Sequence, residues 1–267
     1  MPMTNPASDG ALRPPLKWAG GKRWLVPHLA PLWNDHRARR LVEPFCGGLA
    51  VTLGLMPSRA LVSDINPHLI GFFQWLQKGL RVTIPMRYDR DLYYTHRERF
   101  NQLISQGQAH SQEAAELFYY LNRTGYNGLC RFNRRGEFNV PFGRYDSIRY
   151  VTDFSAYREV LARWEFRVSR FDQVPVEPGD FIYADPPYDV EFVHYSKEGF
   201  TWDDQVRLAE WLAKHPGPVV LSNQATERIV GLYERLGFSL RFLKSPRRIS
   251  SSGDRTPATE VLASKGL

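Results

Sequence analysis

Cysteine is scarce: the chain of 267 residues has only Cys46 and Cys130. Two thiols so far apart make no disulfide framework, and the seven histidines stand at no metal-ligand spacing with them, so no structural metal is expected. Neither cysteine follows a proline, and both read as small packing residues rather than nucleophiles. Long apolar runs are missing too. Nothing approaches the ~20 residues needed to cross a bilayer, and the Pro-rich, polar residues 1–15 lack the apolar core of a signal peptide. A cytoplasmic protein with no membrane partner is the expectation. There are no internal repeats. Acid falls short of base: 28 Asp and Glu stand against 35 Lys and Arg, a formal charge of +7, which points toward a polyanionic partner.

What is present is an alternation of short strands and helices in two separated stretches. A Gly-rich turn, Leu16-Lys17-Trp18-Ala19-Gly20-Gly21-Lys22, leads into an amphipathic helix near 24–33. Residues 41–44 read as a strand feeding Phe45-Cys46-Gly47-Gly48. Residues 60–63 read as a second strand ending at Asp64-Ile65-Asn66, after which Pro67 suits the first turn of a helix. Past Gly79 come long polar and aromatic segments, with a helical run near 114–122. The rhythm returns near Val174, with strands at 181–184 and 218–222, helices at 203–215 and 226–236, and closing strands at 238–243 and 260–263. Such alternation predicts a doubly wound α/β sheet with its ligand at the carboxyl ends of the strands. Connections in such sheets usually take only a few residues. Residues 75–151 are therefore expected to be an inserted, mainly helical domain, and residues 11–74 with 152–267 a discontinuous sheet domain.

The junction after the strand at 181–184 is the most informative. Asp185-Pro186-Pro187-Tyr188 sets a carboxylate, two rigid prolines and an aromatic at the mouth of a buried strand. The prolines fix φ and remove two N–H donors, so the Asp185 carboxylate and the Pro186 carbonyl can face outward as acceptors beneath a stacking Tyr188. A flat ring carrying an amino group suits that slot; the plainer alternative is that Pro-Pro merely stops the strand. In the first half, Gly47 and Gly48 would clear room for a nucleoside and Asp64 would take its ribose hydroxyls, or simply cap a helix. G-x-G-x-x-G is absent, which makes a pyrophosphate cradle doubtful. A nucleoside cofactor without phosphates, such as S-adenosylmethionine, fits better than NAD.

Between residues 123 and 150 stand Arg123, Arg131, Arg134, Arg135, Arg144 and Arg149, interleaved with Tyr126, Phe132, Phe138, Phe142, Tyr145 and Tyr150. Guanidinium forks among aromatics suit groove and phosphate contacts; a solvated basic loop is the alternative. Near the C-terminus, Arg247 and Arg248 beside Ser250 suit phosphate or a flexible turn.

Taken in order, Lys17-Trp18-Ala19-Gly20-Gly21-Lys22, Glu43-Pro44-Phe45-x-Gly47, Asp64-Ile65-Asn66 and Asp185-Pro186-Pro187-Tyr188 give a chain that resembles the Dam-type, D12 class DNA adenine N6-methyltransferases. Residues 122–133 and 136–145 look like that family's target-recognition segment, and residues 247–253 like its C-terminal loop. One departure stands out: the family pattern F-x-G-x-G has Leu49 at its second glycine.

The resemblance covers most of the chain and implies S-adenosylmethionine as cofactor. Trp18, Lys22, Asp64 and Asp185 would contact it or shape its pocket, with Phe45 and Gly47 beside it. Tyr188 would stack on an extruded adenine whose N6 amine Asp185 and the Pro186 carbonyl hold. Tyr126, Asn127, Leu129, Arg131 and Pro141 would approach the target bases, and Arg123 and Arg144 phosphate or base edges. The expected substrate is double-stranded DNA, with an insert most like those of GATC readers, and the expected state is monomeric.

Rival readings remain. The same slot could serve an RNA base or a protein amide, although an Arg/aromatic insert of this size argues for duplex DNA. Intact Trp18, Asp64 and Asp185 argue against a catalytically silent DNA-binding relative. Methylation at cytosine C5 needs a covalent thiolate, for which no Pro-Cys is present, whereas an amino nitrogen needs no covalent intermediate. Such an enzyme could partner a restriction endonuclease, mark a genome for replication or repair, or serve a phage.

Overall fold

The computed structural model describes residues 12–189, 199–245 and 258–267. Arg247, Arg248 and Ser250, and most of the Pro-rich lead, lie outside the described residues. After a 3-10 turn at Arg23–Leu25 come helix α1 (Val26–Asn34), strand β1 (Leu41–Glu43), helix α2 (Ala50–Leu55), strand β2 (Ala60–Asp64) and helix α3 (Pro67–Gln77). Helices α4 (Arg90–Ser105), α5 (Gln112–Thr124) and α6 (Ser155–Leu161) follow, then strands β3 (Trp164–Val168) and β4 (Phe181–Ala184). The chain closes with α7 (Trp202–Ala213), β5 (Val219–Gln224), α8 (Glu227–Arg235), β6 (Ser239–Ser245) and β7 (Ala258–Lys265).

The seven strands form one mixed sheet in the order β3-β2-β1-β4-β5-β7-β6. Strand β1 runs parallel to β2 and β4, and β4 parallel to β5; β7 is antiparallel to both β5 and β6. This is the α/β sheet that the alternation predicts, with the expected closing pair of strands. Parallel strands covered on both faces read as continuous apolar runs, and Leu41-Val42, Phe181-Ile182 and Val219-Val220-Leu221 are all buried. No helix among the described residues is long and apolar enough to cross a membrane.

The chain packs as two compact units. One comprises Met1–Arg23, Gly47–Met56 and Asn66–Val168, the other Trp24–Cys46, Pro57–Ile65 and Ser169–Leu267. In the second unit Leu208 and Leu212 of α7, with Ile229 and Leu232 of α8, share a core with Ile182 and Leu221. Trp33 of α1 meets Phe181 edge-on, with ring centroids 5.2 Å apart. Helix α7 starts at a capping box: the Thr201 hydroxyl accepts from the Asp204 N–H while the Asp204 carboxylate accepts from the Thr201 N–H, which satisfies two otherwise unpaired donors.

In the first unit α3 begins as expected, with Pro67 in its first turn and the Asn66 side chain accepting from the His68 and Leu69 N–H groups. Phe72 of α3 stacks on Tyr119 of α5 at 5.8 Å and 5°. Buried Glu116 is satisfied by the N–H groups of Thr83 and Ile84 and the Thr83 hydroxyl. Helices α4 and α6 and strand β3 were not anticipated. In α4 only Tyr93, Phe100 and Leu103 are buried, so its apolar stripe is too narrow to stand out from a polar sequence. The strand–helix alternation accordingly resumes at α6, before Val174.

Irregular backbone beyond α5 is held by tyrosine hydroxyls. Tyr93 donates to the Val140 carbonyl at 2.8 Å, Tyr88 to that of Gly143 at 2.8 Å and Tyr145 to that of Gly125 at 2.7 Å. The aromatics interleaved with arginine therefore serve largely as packing. Phe138 is buried, Phe142 stacks on Tyr88 at 4.7 Å, and only Tyr126 of the six is exposed.

Candidate active site

Strands β2, β1, β4 and β5 lie side by side and parallel, so their carboxyl ends open in one direction. Asp64 terminates β2, Pro44-Phe45 follows β1, Asp185 follows β4, and Ser222 sits near the end of β5. Phe45 stacks on Phe171 at 5.8 Å and meets Phe200 edge-on at 5.6 Å. The Asp64 carbonyl accepts from the Ser169 N–H at 3.1 Å, and the Cys46 N–H donates to the Ser63 carbonyl at 3.0 Å. Burial, then the negative fields of Asp64 and Glu43, push the Cys46 thiol well up. A buried, protonated thiol agrees with the packing role expected of it.

The Asp185–Asp189 turn is anchored from behind at three points. The Ser222 hydroxyl donates to Asp185 Oδ1 at 2.8 Å, and Ser222 Oγ lies 2.9 Å from the Tyr183 hydroxyl. Burial, then the charge of Asp185, hold the Tyr183 phenol well above its ordinary pKa. It keeps its proton and donates to Ser222, whose single proton goes on to Asp185. Gln205 Nε2 donates to the Pro187 carbonyl at 2.8 Å. Asp189 takes both prongs of the Arg228 guanidinium, and the Thr226 hydroxyl donates to it at 3.3 Å. Asp185 and Tyr188 are half-buried and Pro186 is buried.

None of the anchoring side chains was singled out from sequence. A usable signal was present in Ser222-Asn223-Gln224, a polar run at the carboxyl end of a buried strand, where an apolar continuation would be the default.

In the first unit the two glycines act differently from the expectation. A Cβ on Gly47 would come within 2.6 Å of Trp18 Nε1, and one on Gly48 within 2.7 Å of Trp18 Cβ. The room they clear is filled by Trp18 itself. Lys22 is buried rather than a surface charge. Lys17 and Asn122 clamp two segments together: the Lys17 N–H donates to Asn122 Oδ1 at 2.9 Å, and Asn122 Nδ2 donates to the Lys17 carbonyl at 2.8 Å. The Lys17 ammonium donates to the Arg123 carbonyl at 3.1 Å and sits 3.5 Å from the Tyr145 ring centroid. Burial, then Arg123, lower its pKa to about 8.

Within the Arg/aromatic segment, Tyr126, Asn127, Arg131, Pro141 and Arg144 are exposed and Leu129 is half-buried. Asn127 has a left-handed φ of 52°. Gly128 must be glycine because a Cβ there would lie 2.4 Å from Lys17 Cβ. Arg131 donates through Nε to Asn139 Oδ1 at 2.9 Å and through Nη2 to the Asn139 carbonyl at 3.2 Å. Arg123 is half-buried and its fork is spent on the Arg149 carbonyl.

A profile of the D12 class N6 adenine-specific DNA methyltransferases matches residues 18–246. The chain is 35% identical to the Retron Ec67 DNA adenine methylase of Escherichia coli over 94% of its own length and 90% of that protein. It is 36% identical to a DNA adenine methylase of Vibrio cholerae and 35% to that of Escherichia coli K12, over 93% of this chain in both cases and 94% and 93% of those proteins. The chain belongs to the D12 class N6 adenine-specific DNA methyltransferases. A putative RNA methyltransferase from Pyrococcus horikoshii aligns with a TM-score of 0.41 at 8% identity, over 92% of this chain and 82% of that one.

This methyltransferase acts on adenine N6 in DNA and uses S-adenosylmethionine. Its own donor set fits that cofactor. Asp64 and Asp185, carboxylates at the ends of the two strands that flank β1, suit ribose hydroxyls and a cationic amino acid.

Proposed function

We propose that the chain methylates adenine N6 within GATC in double-stranded DNA, extruding the target base and transferring the methyl group directly, and that it acts as a monomer. The observation that carries the chemistry is the Asp185-Pro186-Pro187-Tyr188 turn, pinned by Ser222, Gln205 and Arg228 at the mouth of β4. Asp185 and the Pro186 carbonyl accept from the N6 amine, which draws its lone pair out of the ring and aims it; Tyr188 stacks on the base. Extrusion costs a few kcal/mol of unstacking, which that stacking helps to offset. Trp18, Lys22, Asp64 and Asp185 would contact S-adenosylmethionine or shape its pocket, with Phe45 and Gly47 beside it, and the cofactor would supply an activated methyl group on its sulfonium. Catalysis is then mainly positioning and electrostatics.

In the same proposal residues 75–151 form the DNA-reading insert on a catalytic domain of residues 11–74 and 152–267. Tyr126, Asn127, Leu129, Arg131 and Pro141 approach bases. Arg144 and Arg123 contact phosphate or base edges, Arg123 also bracing the segment through the Arg149 carbonyl, and Arg247, Arg248 and Ser250 contact phosphates. Likeness of residues 122–145 to the corresponding segment of GATC readers supports the site assignment. Mapping methylated adenines in DNA from cells expressing the chain tests it. Methyl groups confined to GATC are expected; methylation at another site would overturn the site, and methylation of cytosine, RNA or protein the whole reading.

A further inference from the structure

The turn that holds the amine is followed from behind by a ladder of buried amides with no part in the chemistry described so far. Gln205 on α7 and Asn223 on β5 are 2% and 0% exposed. Asn223 Nδ2 donates to Gln205 Oε1 at 3.0 Å and to the Tyr233 hydroxyl at 3.1 Å, and Asn223 Oδ1 accepts from the Gln224 N–H at 2.8 Å. Gln205 Nε2 then donates to the Pro187 carbonyl at 2.8 Å.

Stability alone does not call for such a ladder. Buried amides break even only when every donor and acceptor is matched, and apolar groups of the same shape serve a core as well or better. The ladder ends on one backbone carbonyl, the one immediately before Tyr188. The Pro187 carbonyl belongs to the peptide that joins Pro187 to Tyr188, so the Gln205 hydrogen bond fixes the plane from which Tyr188 departs, and the ring-locked φ of Pro187 ties that plane to the preceding Pro186–Pro187 peptide, which has no N–H. Among the described residues no donor reaches the preceding carbonyl, that of Pro186. One carbonyl of the Pro-Pro pair is thus held inward while its neighbour is left for a guest.

We propose that Gln205, fixed by Asn223 and Tyr233, is a positioning residue for methyl transfer: by binding the Pro187 carbonyl it sets the peptide that presents Tyr188 and keeps the Pro186 carbonyl aimed at the adenine amine. The proposal rests on reading the turn as the amine slot. It predicts a defect in the transfer step rather than in binding, since both amides are buried beneath the turn.

The test compares the full-length wild-type protein with Gln205→Met, which keeps the volume and loses the ladder, and Gln205→Glu, which still accepts from Asn223 but cannot donate to Pro187 as a carboxylate. Cofactor affinity by calorimetry, DNA affinity, fluorescence of 2-aminopurine at the target position and the single-turnover methylation rate are measured on each. Affinities within about twofold of wild type, a normal fluorescence rise and a rate lowered roughly 10–100-fold are expected, the scale on which a small misplacement costs rate. A single-turnover rate within about twofold of wild type in either folded variant overturns the proposal, and so does a rate loss matched by equal loss of DNA or cofactor affinity. If Gln205→Met does not fold, Gln205→Glu carries the same comparison. A wild-type protein that methylates adenine without any fluorescence rise would instead overturn base extrusion and leave the rate comparison to judge the ladder.

Discussion

Ser222 on β5 donates its only hydroxyl proton to Asp185 Oδ1 at 2.8 Å, and it does so because Tyr183, buried behind it, keeps its own proton and fills the Ser222 acceptor side. Removing Ser222 alone strands a phenol that is fully buried. Ser222→Ala should therefore cost about 1–3 kcal/mol, and adding Tyr183→Phe should recover part of that loss. Urea unfolding of the two single variants and the double closes the cycle. Simple additivity would mean that the two hydroxyls are not coupled.

Asp185→Ala should abolish methylation while leaving the fold intact. The side chain is half-buried at the open end of its strand, so it supports little core. Far-UV circular dichroism and a methyl-transfer assay on the same preparation check both halves. Methylation retained by a well-folded variant would move the chemistry elsewhere.

Arg131 is exposed and steered by Asn139 through two hydrogen bonds. If it reads guanine O6 and N7, Arg131→Ala should relax the site at one base pair, by about 1–3 kcal/mol of discrimination. Asn139→Ala should relax the same position more weakly, since the guanidinium remains but loses its support. Rates on the cognate site and its single-base variants distinguish this from an arginine on phosphate, which would slow every sequence in the same proportion.

Leu49 stands where the family pattern has a glycine, and its backbone lies in a region that glycine adopts readily. It is fully buried, yet its φ is 64° and its ψ 27°, the left-handed region that disfavours a Cβ. The loop thus places a buried leucine on a backbone that suits glycine. Leu49→Ala should cost roughly 2–5 kcal/mol for the lost burial. Leu49→Gly should cost about 1 kcal/mol less than Leu49→Ala, although it removes more side chain, because it relieves the strained backbone. Equal losses in thermal or urea unfolding would show that the conformation carries no strain.

His68 on α3 stacks on Phe132 at 4.6 Å and 17°. Burial, then the charge of His110, lower its pKa from the usual 6.5 to about 4. The unfolded chain binds this proton below pH 6.5 and the folded one only near pH 4, so stability is full above 6.5 and falls as pH drops through that window. Partial exposure makes the loss smaller than the pKa gap alone would give. His68→Phe should flatten the melting temperature between pH 6.5 and 4. An unchanged slope would assign the acid sensitivity to other groups.

Strands β1, β2, β4 and β5 were legible because each is a short apolar run stopped by a residue with distinct chemistry, such as Asp64 or Asp185. Helix α3 was legible from Asn66-Pro67, which writes its own cap. Strand β3 was harder to see. Its burial is confined to Trp164 and Phe166 while Val168 is exposed, a weak alternation in polar surroundings. The front of the site could be read from Asp185-Pro186-Pro187-Tyr188. Its supports could not, because Ser222, Gln205 and Arg228 lie on other elements and meet the turn only after folding. The glycines of the first loop were legible as a place of close approach, but not that Trp18 is what approaches.

The register of the central sheet has a kinetic side. Leu41 pairs with Phe181 in neighbouring strands, so the β1–β4 contact closes a loop that contains α2 to α6. Loop closure must be met before such distant contacts reward it, and parallel pairings of this kind form slowly. On the ribosome β1 emerges long before β4 and waits through seconds of synthesis with its β4 edge uncovered. During that interval Val42 and Leu61 face solvent or a transient partner instead of α7 and α8. Chaperone dependence and losses during expression should therefore track the rate of translation through residues 44–180 more than the stability of the finished enzyme.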